Sequence, residues 1–226
     1  MNGHWQERLA QHLTAGRQGT LGLAIAIALV LPASRAALES SMWRHMVLQY
    51  PLWILSGALL MGALPPRAHS AAARWNLSGI SGLLLAGSVI TVLMIPRVLD
   101  LALVQPSVEL AKCAALLAAG GALRLSWRLA GFVVQSFFLG NMLLMGAAVG
   151  QLYANSPLRL CNAYLLGDQQ RLGNWLTGLS TAVAVLWLVQ VIWWIMRRES
   201  DARAMAGAQI RTDAARTGGG TSLPRQ

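Results

Sequence analysis

Apolar runs of about twenty residues recur along this chain and leave it few ways to fold. Residues 20–37, 42–64, 77–95, 107–123, 129–153 and 175–196 are each dominated by Leu, Ala, Val, Ile and Gly. Roughly twenty apolar residues in a helix span the hydrocarbon core of a bilayer. Backbone N–H and C=O groups find no water there, so the segment must satisfy them itself, which a helix does. The expected fold is an all-α, polytopic integral membrane bundle of about six transmembrane helices. Composition agrees: 55% of residues are hydrophobic and 12% are charged, about half the ~25% charged content of a soluble domain.

Three regions follow from the same pattern. Residues 1–19 form a polar lead, expected to be a short amphipathic helix, and residues 20–196 form the bundle. Residues 197–226 form a polar tail, expected to be disordered from about Ala204. No cleavable signal peptide is expected, because the first eighteen residues are polar and the first apolar run has no clear cleavage site.

The formal net charge is +10. In a membrane protein such an excess holds topology, and no aromatic-basic motif accompanies it, so a nucleic-acid partner is not expected. With six spans, twelve arginines fall on the side of the termini and five (Arg35, Arg44, Arg97, Arg159 and Arg171) on the other. The termini are therefore expected to be cytoplasmic. Cys113 lies in an apolar segment and Cys161 in a loop, so no disulfide framework is expected.

Within this apolar frame the polar side chains stand out. Residues 44–51 read Arg-His-Met-Val-Leu-Gln-Tyr-Pro and hold the one histidine expected inside the membrane. Ionisable groups in hydrocarbon are costly and mark functional sites by default. His45 and Gln49, four apart, would share a helix face, with Met42 and Met46 beside them. A histidine among thioethers suits copper, Cu(I) above all. The plainer alternative is an interfacial histidine hydrogen-bonded to a neighbouring helix.

In the fourth run Glu109 and Cys113 are also four apart, with Lys112 between them. Glu109 and Lys112 can neutralise each other, or Glu109 and Cys113 can supply a carboxylate and a thiolate to a metal. Asp100 and the pair Asp168-Gln169 could orient such ligands or pair with Arg97 and Arg171. Gln135 and Asn141 read as interhelical hydrogen-bonding groups. In the expected topology His45, Gln49, Asp100, Glu109, Cys113 and Asp168 all gather at the non-cytoplasmic ends of their segments. No phosphate-binding loop, dinucleotide fingerprint, zinc-protease motif or nucleophile elbow is present, and an enzyme is not expected. A bis-histidine haem would need a second histidine in the membrane.

Three stretches together resemble the CtaG family of cytochrome c oxidase assembly factors, and they cover about residues 40–175. The run from Met42 to Gln49 is similar to the family's W-x-H-M-x-x-H signature, with Gln49 in place of the second histidine. Asp100, Pro106 and then Glu109 and Cys113 follow the order of its Asp, Pro and H-x-x-x-H, with Glu and Cys in place of both histidines. Tyr164, Asp168-Gln169 and Gly173 match its late Tyr, D-Q and Gly. The family often has seven spans.

The resemblance implies a non-enzymatic accessory or assembly protein of the bacterial inner membrane. It would serve a respiratory complex such as cytochrome c oxidase and handle copper at the outer face. His45, Glu109 and Cys113 would be the copper ligands, Met42 and Met46 soft auxiliaries, and Asp100, Asp168 and Gln169 the groups hydrogen-bonded behind them. A small transporter or channel using Glu109 and Lys112, or a structural subunit of a larger membrane complex, are the alternatives from other classes.

Overall fold

A computed structural model describes residues 14–218 apart from 66, 68, 69, 71–73, 75 and 77. The polar lead therefore lies almost wholly outside the described residues. All regular structure among the described residues is helical: α1 (Ala15–Val30), α2 (Pro32–Glu39), a π-helical turn (Arg44–Gln49) running into α3 (Tyr50–Ala63), α4 (Ile80–Leu93), α5 (Pro96–Val104), α6 (Pro106–Trp127), α7 (Phe132–Asn155) and α8 (Leu166–Gly218). The protein is an all-α helical bundle.

Proline sets the breaks. Pro32, Pro96 and Pro106 each open the helix that follows, where a missing N–H costs nothing and the fixed φ is already helical. The chain bends by 72° between α1 and α2 and by 77° between α4 and α5. Among the described residues three stretches are long and apolar enough to cross a membrane, namely Arg44–Ala63, Phe132–Asn155 and Leu166–Ser200, and the number rises to five if each bent pair is one span. The sequence reading gave six. Two of the missing runs are the bent pairs, and the sixth is α6, which has 22 residues but carries Glu109, Lys112 and Arg124.

At the centre α3 packs on both α1 and α6, and α6 also packs on α4 and α5. Two glycines let the backbones of α3 and α6 touch. A Cβ at Gly57 would land on the Leu117 carbonyl oxygen, and one at Gly120 on the Ile54 carbonyl oxygen. Small residues at a helix crossing are what allow close approach where no hydrophobic effect drives association. In the same way Gly146 and Gly150 of α7 face Ser180 and Thr177 on the first part of α8. Gly82 lies against Ser126, and Gly79, with φ +71°, caps the start of α4. The buried core runs through Met42, Tyr50, Trp53, Leu99, Leu116 and Tyr153.

Among the described residues, 182–218 form a separate unit. In it Arg197 lies over the Trp193 ring and Arg198 over the Trp194 ring, each 3.7 Å from the centroid. Cation–π pairs of this kind, one helical turn apart, suit the interfacial end of a membrane helix, where tryptophans are enriched. The helix continues to Gly218, so the tail read as disordered from about Ala204 is helical as far as it is described. Its alanine-rich sequence favours helix.

Gly120→Leu should separate α3 from α6 and lower stability by about 1–3 kcal/mol. Gly140→Leu, where a Cβ meets nothing within 4 Å, should leave stability unchanged. Thermal unfolding of the two purified variants in detergent checks this.

Candidate functional site

Residues 44–49 leave the α-helical path for a π-turn. Pro51 supplies a cause: in a regular α-helix its ring would press on the carbonyl four residues earlier, and it offers no N–H to that carbonyl. One extra residue per turn relieves the conflict, and such bulges often sit at functional sites. The turn buries His45, Met46 and Gln49 together.

His45 is fully buried, and both its ring nitrogens are engaged. Nε2 lies 2.9 Å from the Lys112 Nζ of α6, and Nδ1 lies 3.0 Å from the Tyr164 hydroxyl of the loop before α8. An ammonium only donates, so Nε2 accepts and the proton sits on Nδ1. Nδ1–H then donates to the Tyr164 oxygen, whose own hydroxyl donates to the Glu39 carbonyl at 2.9 Å. Every donor in this chain meets an acceptor.

The Lys112 ammonium also lies 2.6 Å from Glu109 Oε2, and its side chain is 1% exposed. The other carboxylate oxygen of Glu109 lies 3.7 Å from an Arg35 nitrogen and accepts from the Cys113 thiol at 3.6 Å. Arg35 in turn pairs with Glu39 at 3.2 Å, and Glu39 accepts from the Gln49 amide at 3.4 Å. Two cations and two carboxylates thus form one neutral cluster at one end of the bundle. Pairing with one another is how such groups survive in a membrane interior, and several partners per ion are needed to offset the desolvation of each.

The groups expected to sit behind the ligands hold the surrounding loop. Asp100 accepts from the backbone N–H of Asn162 at 2.8 Å and of Ala163 at 3.1 Å. Gln169 accepts from the Leu160 N–H at 2.8 Å and donates to the Tyr153 and Leu158 carbonyls. Asp168 accepts from the Ser41 hydroxyl at 3.1 Å. Cys161 is buried and donates to the Pro96 carbonyl at 3.7 Å. Burial, and then the charge of Asp100, push its thiol up to about 12. Both cysteines are free.

The structure therefore brings together His45, Glu109, Cys113, Asp168, Asp100 and Gln169 around one end of the bundle. Sequence reasoning missed that Lys112 reaches His45, and it missed Arg35 and Glu39 as members of the cluster. Their spacing of four on a short helix was the available signal. The shared-face argument for His45 and Gln49 used an α-helical period where the turn is π. Both are buried, but they serve different partners. Met42 and Met46 are core residues, 0% and 6% exposed.

Copper does not fit the cluster as arranged. Both nitrogens of His45 are taken, and Lys112 and Arg35 put positive charge where a metal cation would bind. Among the described residues no group of three or more His, Cys, Asp and Glu side chains is placed to hold a metal ion. The ammonium of Lys112 stands between His45 and Glu109 as an internal cation.

No family model, no curated protein and no solved structure matches the chain.

Lys112→Met should cost about 3–5 kcal/mol, because it strands the Glu109 carboxylate. Adding Glu109→Gln should recover a large part of that loss. Unfolding of both single variants and the double variant measures the coupling, and additive losses would contradict it. In the loop, the native protein near neutral pH should leave Cys161 unlabelled by a maleimide that labels it once the chain is unfolded.

Proposed function

We propose that the protein is a multi-pass accessory protein of the bacterial inner membrane, with both termini cytoplasmic, that serves the assembly of a respiratory metalloenzyme such as cytochrome c oxidase. One observation carries the reading. The residues on which the resemblance to the CtaG family rests come from three separate stretches, and His45, Glu109, Cys113, Asp100, Tyr164, Asp168 and Gln169 meet at one end of the bundle. In this orientation that end faces outward.

The activity is binding and positioning rather than catalysis. The Asp100, Gln169 and Arg159 hydrogen bonds hold residues 158–164 as a fixed outer loop, a rigid surface for a membrane partner. Were the Lys112 ammonium absent, His45, Glu109 and Cys113 would be the residues left to hold copper, which nitrogen and sulfur donors suit.

Two experiments test the reading. Membranes of a strain lacking the protein should show reduced oxidase haem and copper content, restored by the wild-type chain; normal content in the deletion would contradict the assembly role. In copper titration the purified protein should retain no equivalent, whereas Lys112→Ala should gain one that His45→Ala removes.

A second reading has its own support in the hydrogen-bonded path Lys112–His45–Tyr164, which resembles a proton relay. A proton-coupled transporter built on Glu109 and Lys112 predicts flux in liposomes that follows a pH gradient and is abolished by Glu109→Gln.

A further inference from the structure

The apolar stretch of α8 ends in two arginines held on indole rings. The guanidinium carbon of Arg197 lies 3.7 Å from the centroid of the Trp193 ring, and that of Arg198 lies 3.7 Å from the Trp194 ring. Cation and ring are in van der Waals contact at that separation. Each arginine reaches back one turn toward the helix N-terminus, the direction in which helical Cα–Cβ bonds tilt. Arginines at the end of a membrane helix ordinarily extend away from the apolar stretch toward water. These two turn the other way, and both charges lie over rings that are flanked by exposed Ile192, Ile195 and Met196.

The rings fix the depth of the charges. Indoles settle where hydrocarbon meets lipid headgroups, so Trp193 and Trp194 hold two guanidiniums at headgroup level. A guanidinium carries five N–H donors in its plane. Stacking covers its face and leaves that donor edge open. Among the described residues no carboxylate pairs with Arg197 or Arg198, and the one ion pair of this stretch joins Arg203 to Glu199 at 3.5 Å. Residues 197–226 hold six arginines against three acidic residues, so the surrounding field also favours an anion.

Shape and charge together select the ligand. The planar fork of a guanidinium matches the oxygens of a phosphate. At the level of the indoles, the phosphates on offer are those of phospholipids. A zwitterionic head would bring its own cation up to two adjacent guanidiniums, whereas an anionic head brings none.

We propose that Trp193, Trp194, Arg197 and Arg198 form a binding site for the phosphate of an anionic phospholipid such as phosphatidylglycerol. The indoles hold the donors in place, and the guanidiniums bind the phosphate oxygens. The site needs neither the assembly role nor a particular orientation of the chain.

Native mass spectrometry of the purified full-length chain in neutral detergent tests this by titration with dioleoylphosphatidylglycerol. One lipid should bind more tightly than those that follow. Arg197→Gln with Arg198→Gln should weaken that first binding about thirtyfold, the effect of two arginines at a membrane surface. Arg197→Lys with Arg198→Lys keeps both charges but loses the stacked forks, and should weaken it about fivefold. Arg211→Gln with Arg216→Gln removes the same charge about 20 Å farther along the helix, and should leave it unchanged. Helicity should be the same in all variants. Dioleoylphosphatidylcholine should bind no more tightly to the wild-type chain than to the glutamine pair, and inorganic phosphate should not displace the first lipid. An equal loss in the distal pair, full affinity in the lysine or glutamine pair, tight binding of the zwitterionic lipid, or displacement by free phosphate would each overturn the proposal.

Discussion

The arrangement at the end of the bundle depends on where the Lys112 ammonium goes. It is a charge on a central helix of the bundle, with a side chain 1% exposed. Taking such an ion out of water costs several kcal/mol even after the protein relaxes. Three contacts offset this: the Glu109 carboxylate at 2.6 Å, the His45 Nε2 at 2.9 Å and the face of Tyr50 with its centroid 5.9 Å away. Each contact fixes a different element. Glu109 belongs to α6 itself, His45 to the π-turn, and Tyr50 to the first turn of α3.

From that point the order spreads outward. With Nε2 committed as an acceptor, His45 must present Nδ1–H to Tyr164, and Tyr164 can then donate to Glu39. The loop before α8 is thereby tied to α2 and to the π-turn. Glu39 and Glu109 share Arg35, which closes the cluster electrically. The helix crossings beneath it rest on a different device, the glycine contacts of α3 with α6. Packing without side chains at Gly57 and Gly120 brings the two backbones close, and the same approach brings Lys112 within reach of His45. The same cation that completes the cluster also opposes a metal there. A cluster with two histidine pairs would have ligands to spare; this cluster holds one histidine, His45, with an ammonium already bonded to it.

Much of this was legible in the sequence. Apolar run length gave the helical bundle, whereas the bend at Pro32 falls inside the stretch read as one run, residues 20–37. The gathering of His45, Asp100, Glu109, Cys113 and Asp168 followed from alternating topology alone. The limits were equally physical. An i,i+4 rule assumes an α-helical period, and the π-turn before Pro51 departs from it. Pairing Glu109 with Lys112 used neighbours in one helix, whereas the contact from Lys112 to His45 joins residues 67 apart and depends on how helices cross. Gly57 and Gly120 looked like ordinary small residues among many. Two of the six runs belong to helix pairs bent at Pro32 and Pro96, and the third difference is α6, which carries charge that the apolar pattern absorbed.

The most direct test is the protonation state of one imidazole. Nitrogen-15 NMR of histidine-labelled protein in lipid, with the His45 signals assigned by their loss in His45→Gln, distinguishes the two neutral tautomers and the imidazolium. An ammonium bonded to Nε2 predicts a neutral ring protonated at Nδ1, and Lys112→Met should change that signature. An imidazolium, a ring protonated at Nε2, or a signal indifferent to Lys112→Met would contradict the account.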